Sequence, residues 1–220
     1  MSFTVYLVRH GQTILNRYNR MQGWCDSDLT TLGISQAQQT GKRLAAIKFD
    51  HAFHSDTIRA TQTCQNILAQ NHNLVPAHQE SFYFREEGYG YYEGADSGNA
   101  WMVIGGPHGC KTFSEIISTY SIEDAKNFAK AADPFDDAED NAEFWHRLDC
   151  GFDLLRSVAT DGQNVLLVSH GTTIRSIVAR FAPEIDITVS PKNGSVTKLI
   201  VDQTEVKVDY FNQSADDFAY

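Results

Sequence analysis

The sequence predicts an α/β fold, a three-layer αβα sandwich with a mostly parallel central sheet and helices on both of its faces. Residues 3–8 and 164–169 are nearly continuous apolar runs, as in strands buried on both faces of a parallel sheet. The segments between the predicted strands carry apolar residues at helical spacing. Strands that alternate with helices are typical of layered α/β folds.

The strands follow in chain order. After the strand at 3–8, we expect a short strand at 51–54, a third at 164–169 and a fourth at 195–201. Residues 205–211 alternate after a turn at 202–204, so this pair predicts a C-terminal hairpin. A weaker extended segment lies near residues 75–82.

Helical periodicity fills the gaps between these strands. We predict helices over 31–46 and 56–69, with Asp56 as a candidate N-cap of the second. The strongest pattern covers 141–158. Its apolar residues recur on one helical face and are Phe144, Leu148, Phe152 and Leu155.

The middle of the chain differs from the rest. Residues 88–109 are rich in glycine and aromatic residues, and 112–132 have a helical pattern. We interpret residues 1–220 as a single domain in which 88–132 form a small cap-like insertion of helices and loops over the active site. The acidic run 133–140 lacks the glycine of a calcium loop, so we expect a solvated turn that favours a helix N-terminus.

Composition excludes several classes of partner. The formal net charge of −10 disfavours nucleic acid and anionic membranes, and no apolar stretch is long enough to span a bilayer. The N-terminal residues lack the basic leader of a signal peptide. The four cysteines are widely spaced and form no CxxC pair. Because we find no export signal, we expect reduced thiols and a cytoplasmic location.

Two predicted strands end in a His-Gly pair, which indicates where the chemistry lies. The first strand leads into Arg9, His10 and a glycine, and the third leads into His170 and Gly171. Ligands of open α/β sheets bind beyond the carboxyl ends of the strands. Arg59 lies in the first turn of the helix predicted after the second strand, and arginine suits bidentate phosphate recognition. Together with the Asn16 amide, these side chains predict a phosphoryl-binding site.

The ordered motifs resemble those of the histidine phosphatase (phosphoglycerate-mutase-like) superfamily and span residues 1 to about 176. The matching positions are Arg9-His10-Gly11 with Thr13 and Asn16, Leu29-Thr30 with Gly33 and Gln36-Ala37, Ser55 with Arg59-Ala60-Thr61-Gln62-Thr63, Arg85-Glu86 with Tyr89-Gly90 and Glu93-Gly94, and Ser169-His170-Gly171 with Ile174-Arg175. Gln12 and Asp56 depart from the commonest residues, glutamate and proline. Neither position supplies a catalytic group.

The resemblance implies a catalytic mechanism without metal or cofactor. His10 would attack phosphorus and form a phosphohistidine, and Arg9 and Arg59 would lower its pKa and keep it neutral. His170 and the arginines would stabilise the transferring group. Glu86 would donate a proton to the leaving group and then activate water; the adjacent Glu87 leaves this assignment ambiguous.

The resemblance also places Gln22 and Gly23 at the substrate pocket, beside Asn16 and Gly171. Several aromatic residues are candidates either for the pocket wall or for packing, namely Trp24, Tyr89, Tyr91 and Tyr92. We assign Trp101 to packing. The six remaining histidines are scattered and predict no metal site.

Three functions fit these residues. A phosphatase acting on a small phosphorylated metabolite is favoured over a cofactor-dependent phosphoglycerate mutase, because residues 95–107 contain no Lys or Arg to bind further anionic groups. The third is an inactive binding module of the same fold. It is disfavoured because His10, Arg59, Glu86 and His170 are all present. We expect residues 95–132 to select the substrate. The C-terminal hairpin could pair in a homodimer or be a covered edge.

Overall fold

The computed structural model of the protein describes residues 2–220 and contains one six-stranded mixed sheet. The strands are β1 (Ser2–Arg9), β2 (His51–His54), β3 (His78–Glu80), β4 (Asn164–Ser169), β5 (Val196–Asp202) and β6 (Val206–Gln213). Their order across the sheet is β3-β2-β4-β1-β5-β6. The first four strands of that order are parallel, whereas β5 and β6 are antiparallel to their neighbours. The predicted α/β class and C-terminal hairpin are therefore confirmed.

Within residues 2–220, eight α-helices connect and cover the strands. They are α1 (Ile14–Arg17), α2 (Thr31–Arg43), α3 (Ile58–Leu68), α4 (Ser97–Gly105), α5 (Phe113–Thr119), α6 (Ile122–Ala132), α7 (Asn141–Val158) and α8 (Gly171–Phe181). Three short 3₁₀ helices lie at Phe82–Phe84, Gly90–Tyr92 and Gly106–His108. No helix within residues 2–220 has the length and apolar character needed to cross a membrane.

Alternating side chains of the central strands enter two separate cores. Leu7 and Leu167 pack in one core with apolar residues of α7 and α8. Their neighbours Val8 and Val168 pack in the other core with residues of α3 and the end of α2. Each central strand is thus buried on both faces, which accounts for its continuous apolar sequence and confirms the three-layer arrangement.

The register of the central strands brings the two His-Gly pairs together. Arg9 at the end of β1 lies opposite Ser169 at the end of β4. The amide of His10 then donates to the Ser169 carbonyl at 3.0 Å. His10 and His170 are consequently neighbours, with ring centroids 5.1 Å apart.

The segment 88–132 has an apolar cluster of its own. Met21 joins it from outside, and its members from the segment include Tyr92, Trp101, Ile104 and Ile116. The expected helix over 112–132 is two helices, because the chain turns sharply at Tyr120 and the Ser121 side chain accepts from the Asp124 amide at 3.0 Å. The division into one domain with an inserted cap stays a prediction.

Two predictions about charged residues are wrong. Asp56 does not cap α3; it pairs with Arg85, at 2.8 Å between Oδ2 and Nη2. The acidic run is not wholly solvated, because Asp133 and Glu139 are buried. Asp140, the last residue of the run, does cap α7 through a capping box.

Candidate active site

A cavity of about 510 Å³ opens at the carboxyl ends of β1 and β4. Six of the predicted site residues line it, namely Arg9, His10, Asn16, Gln22, Glu86 and Gly171. The other three, Gly23, Arg59 and His170, lie behind this wall. Elements distant in the sequence thus bring a histidine, a carboxylate and a guanidinium group to one concave surface, as in enzyme sites.

His10 presents one ring nitrogen to the cavity. Its Nδ1 lies 2.8 Å from the Gly11 carbonyl oxygen, which can only accept, so Nδ1 carries the proton. Nε2 therefore holds the free electron pair, and it has no hydrogen-bond partner among residues 2–220. Burial, followed by the charges of Arg59 and Arg9, holds the pKa of His10 well below its usual value. The ring is accordingly neutral near pH 7 and able to act as a nucleophile.

His170 is held by protein atoms on both sides of its ring. Arg59 Nε donates to His170 Nδ1 at 3.2 Å, so the ring proton lies on Nε2. That nitrogen lies 2.7 Å from Ser55 Oγ, which in turn lies 2.9 Å from Thr57 Oγ1. Burial, and then the positive charge of Arg59, lowers the pKa of His170 well below its ordinary value. The chain therefore fixes both the orientation and the tautomer of this ring.

Arg59 is fully buried and uses all of its donors within the protein. Besides His170, it bonds the Gly23 carbonyl at 2.6 Å, the Gln22 carbonyl at 3.5 Å and the Cys25 carbonyl at 2.9 Å. It also pairs with Asp26 Oδ1 at 2.9 Å. In this arrangement Arg59 positions His170 and supplies positive charge behind His10. Direct contact of Arg59 with a phosphoryl group stays a prediction.

Gly23 has a structural reason to be glycine. Its carbonyl holds Arg59, and a side chain at this position would overlap the Glu87 carbonyl oxygen and the Glu93 carboxylate. Glu93 itself accepts from the amides of Gly23 and Cys25, both at 3.0 Å. Gly23 therefore shapes the loop behind the cavity, while the predicted place at the pocket surface belongs to Gln22.

Polar groups at the cavity surface are left free to bind a ligand. Arg9 donates through Nη1 to Ser190 Oγ and to the Pro191 carbonyl, and its Nη2 has no partner among residues 2–220. Asn16 accepts from the Thr13 amide through Oδ1 at 3.3 Å, and its NH₂ group has no partner within residues 2–220. Gly171 begins α8 and lines the cavity, and helix N-termini favour anions.

Glu86 is fixed by the first turn of α8. Its two oxygens accept from the amides of Thr172 and Thr173, at 2.9 and 2.8 Å, and from Thr173 Oγ1 at 3.0 Å. This holds the carboxyl group at the cavity wall. Glu87 is fully buried outside the cavity, and neither of its oxygens has a hydrogen-bond partner in the described part of the chain. Burial raises the pKa of Glu87 well above its usual value. Geometry therefore favours Glu86 as the group that can reach a substrate.

The aromatic candidates separate into wall and packing residues. Tyr89 and Trp101 both line the cavity, with ring centroids 6.0 Å apart. Trp101 is thus a wall residue as well as a buried packing residue, contrary to its assignment to packing alone. Trp24, Tyr91 and Tyr92 do not line the cavity. Trp24 instead donates through Nε1 to the Glu86 carbonyl at 3.2 Å.

Several residues of the cavity lining are not among the residues predicted from the sequence. They include Arg20, Ser97, Phe113, Ser114, Arg175 and Asn193. Asn193 Nδ2 donates to the His10 carbonyl at 2.9 Å across 183 residues of chain. Arg175 belongs to the family motif that contains His170, but the motif alone does not place its side chain in the cavity. The others lie in loops and helices whose contacts depend on the tertiary fold.

The six remaining histidines do not line the cavity. His54 Nε2 lies 2.9 Å from His78 Nδ1, and His108 stacks on Phe128 with centroids 3.4 Å apart. Within residues 2–220, no three or more His, Cys, Asp or Glu side chains are grouped as metal ligands.

Known proteins share both the sequence pattern and the fold. A 2,3-bisphosphoglycerate-dependent phosphoglycerate mutase of Rhizobium meliloti is 56% identical over 70 residues, which are 31% of this chain and 33% of that protein. The match thus spans about a third of that relative. The solved phosphoglycerate mutase from Bacillus anthracis is 31% identical, with a TM-score of 0.89 over 96% of this chain and 93% of its own.

Phosphatases occur among the structural neighbours as well. A mycobacterial glucosyl-3-phosphoglycerate phosphatase has a TM-score of 0.69 and 20% identity, covering 97% of this chain and all of its own (100%), which shows a shared fold. The family model of the histidine phosphatase superfamily (branch 1) matches residues 5–100 and 105–214. These matches cover the motifs that deliver His10, Arg59, Glu86 and His170. The chain therefore belongs to the histidine phosphatase superfamily.

Proposed function

We propose that the protein is a metal-independent phosphomonoester hydrolase that acts through a phosphohistidine on a small phosphorylated metabolite. The observation that carries the proposal is the state of His10. Its Nδ1 proton is donated to the Gly11 carbonyl, its Nε2 has no hydrogen-bond partner among the residues described, and it shares the cavity with Glu86. A neutral nucleophile and a carboxyl group on one wall are the requirements for two-step phosphoryl transfer.

The first step forms the covalent intermediate. The electron pair of His10 Nε2 attacks phosphorus while the bond from phosphorus to the ester oxygen breaks. Glu86 gives a proton to the departing oxygen. Arg9 Nη2 and the Gly171 amide are free to bind the equatorial oxygens, and the Arg59 charge lies behind the nucleophile.

The second step restores the enzyme. Water attacks the phosphorus of the phosphohistidine, Glu86 takes a proton from that water, and the N–P bond breaks. The electron pair returns to His10 Nε2, and inorganic phosphate leaves. Each step is in-line displacement at phosphorus, so the protein contributes mainly position and charge.

A second candidate is phosphoglycerate mutase activity, in which the phosphoryl group returns to a substrate hydroxyl. The likeness to the Bacillus anthracis mutase favours it. Against it, residues 95–107 carry no Lys or Arg, although α4 within this stretch contributes to the cavity wall. We therefore rank hydrolysis first.

The size of the cavity supports a small substrate, since a volume of about 510 Å³ lies within the usual range for small-molecule sites. All four cysteines are free thiols, which supports a cytoplasmic location. Pairing through the hairpin edge into a homodimer stays a prediction.

The decisive experiment measures p-nitrophenyl phosphate hydrolysis in EDTA for wild type and His10→Ala. We expect wild-type turnover to survive chelation and to be lost in His10→Ala. His72→Ala, an exposed histidine outside the cavity, is the matched control and should keep wild-type activity. Turnover that persists in His10→Ala would refute the phosphohistidine mechanism.

Glu86 is tested with two leaving groups. Glu86→Gln should slow hydrolysis of an alkyl phosphate far more than that of p-nitrophenyl phosphate, because only the alkoxide needs a proton from the enzyme. Glu87→Gln, at the buried neighbouring position, should not change this ratio. The mutase is assayed in parallel with 3-phosphoglycerate and 2,3-bisphosphoglycerate. Formation of 2-phosphoglycerate faster than release of inorganic phosphate would replace the hydrolase assignment.

A further inference from the structure

The loop that leads into β5, residues 190–195, lies against the end of β1. The Gly194 amide donates to the Arg9 carbonyl at 2.9 Å. Asn193 continues this contact with its side chain, because its Nδ2 donates to the His10 carbonyl at 2.9 Å. A carbonyl oxygen can only accept, so the amide nitrogen of Asn193 faces it rather than Oδ1. The loop thus extends the pairing of β5 with β1 as far as His10.

The peptide group between His10 and Gly11 is held at both ends. Asn193 bonds its carbonyl oxygen, and its N–H group donates to Thr63 Oγ1 at 3.0 Å. These bonds fix the backbone dihedral angles on either side of the peptide, which place the Gly11 carbonyl relative to the His10 ring. That carbonyl accepts the Nδ1 proton of the ring at 2.8 Å. The orientation of the imidazole therefore depends on two side chains from distant segments.

The 190–195 loop is itself fixed by neighbouring elements. The Gly194 carbonyl accepts from Thr40 Oγ1 on α2 at 2.6 Å. Gly194 has a φ of 73°, in the left-handed region that favours glycine. On the other side of Asn193, the Lys192 amide donates to Asn212 Oδ1 on β6 at 2.8 Å. Asn193 lies between these two anchors, so its side chain extends from a backbone with little freedom to move.

We propose that Asn193 is a positioning residue for His10: its bond to the His10 carbonyl orients the imidazole so that Nε2 faces the cavity. The proposal rests on the proposed function, in which that nitrogen attacks phosphorus. In-line attack requires the Nε2 electron pair to be aligned with the bond that breaks, and a small misplacement lowers the rate. Asn193 also lines the cavity, but its amide nitrogen is used by the backbone. Its loss should therefore lower kcat rather than weaken substrate binding.

Asn193→Asp removes the donor with almost no change in shape. A carboxylate can only accept, so it cannot bond the His10 carbonyl. We expect kcat on p-nitrophenyl phosphate to fall about tenfold, with KM changed by less than about twofold. Asn193→Ala should have a similar effect and keeps the test available if the aspartate variant does not fold. The matched control is Asn66→Asp, since Asn66 Nδ2 donates to the Gln62 carbonyl at 2.8 Å outside the cavity; its kcat should equal that of wild type.

Nitrogen-15 NMR of histidine-labelled protein gives a readout that does not need turnover. The ring signals of His10, assigned by comparison with His10→Ala, should show the proton on Nδ1 in the wild type. A larger population with the proton on Nε2 is expected in Asn193→Asp and Asn193→Ala. An unchanged tautomer in both variants, or a loss of activity carried by KM, would overturn the positioning role. A tautomer shift together with no His10-dependent turnover in the wild type would support the positioning role and refute the proposed function alone.

Discussion

Replacing Arg147 tests how the backbone that carries Glu86 is held. Arg147 bonds both oxygens of Glu139, at 2.8 and 2.7 Å. Its remaining donors bond the carbonyls of Tyr83, Arg85 and Glu86, at 2.9, 3.1 and 3.1 Å. Arg147 lies on α7, so its side chain attaches residues 83–86 to this helix.

The expected cost of Arg147→Met follows from burial. The two side chains of the pair are only 4% and 8% exposed, so solvent cannot replace the lost contacts. Glu139 would keep a single donor, the Gly88 amide at 2.9 Å. Removing one partner of a buried pair costs about 3–5 kcal/mol, and we expect a loss of about 4 kcal/mol in the free energy of unfolding.

Urea unfolding followed by tryptophan fluorescence measures this loss. The control is Arg180→Met, whose pair with Asp149 is 43% and 50% exposed, and it should cost at most about 1 kcal/mol. Replacing both Arg147 and Glu139 by methionine should cost less than the sum of the two single changes, because no unpaired charge remains. Equal losses in Arg147→Met and Arg180→Met would refute the reasoning.

Three further predictions follow from the site. Folding lowers the pKa of His10, so the unfolded chain is protonated at this residue first as the pH falls below about 6.5. The free energy of unfolding should therefore decrease by up to about 1.4 kcal/mol per pH unit more in the wild type than in His10→Gln. Urea unfolding at pH 7.5 and 5.5 measures this difference. Gly23→Ala should destabilise the protein by about 1–3 kcal/mol and lower its melting temperature. Gly106→Ala, with open space around the added methyl group, should lower the melting temperature less. Ser55→Ala should lower kcat on p-nitrophenyl phosphate about fivefold, because it removes the hydrogen bond that holds His170 Nε2. Ser157→Ala on α7 is the control and should leave kcat unchanged. If kcat and its pH profile both stay unchanged in Ser55→Ala, Ser55 does not position His170.

The predicted elements were most accurate where one local pattern decided the structure. Residues 51–54, 141–158 and 164–169 were predicted with the bounds that the structure shows. Burial on both faces leaves a continuous apolar run at 164–169, and burial of one helical stripe leaves a clear periodicity at 141–158. Predictions failed where a side chain had a choice of partners. Asp56 could cap α3 or pair with Arg85, and the second partner comes from a distant segment.

The sequence by itself determined the α/β class, the two His-Gly pairs at strand ends and the family pattern, because these depend on composition and spacing along the chain. Only the tertiary structure decided which of Glu86 and Glu87 faces the cavity, since the amides that hold Glu86 belong to α8, more than 80 residues away. It also brought Arg20 and Arg175 into one cavity. Contacts between distant segments depend on sheet order and helix packing, which no local pattern specifies.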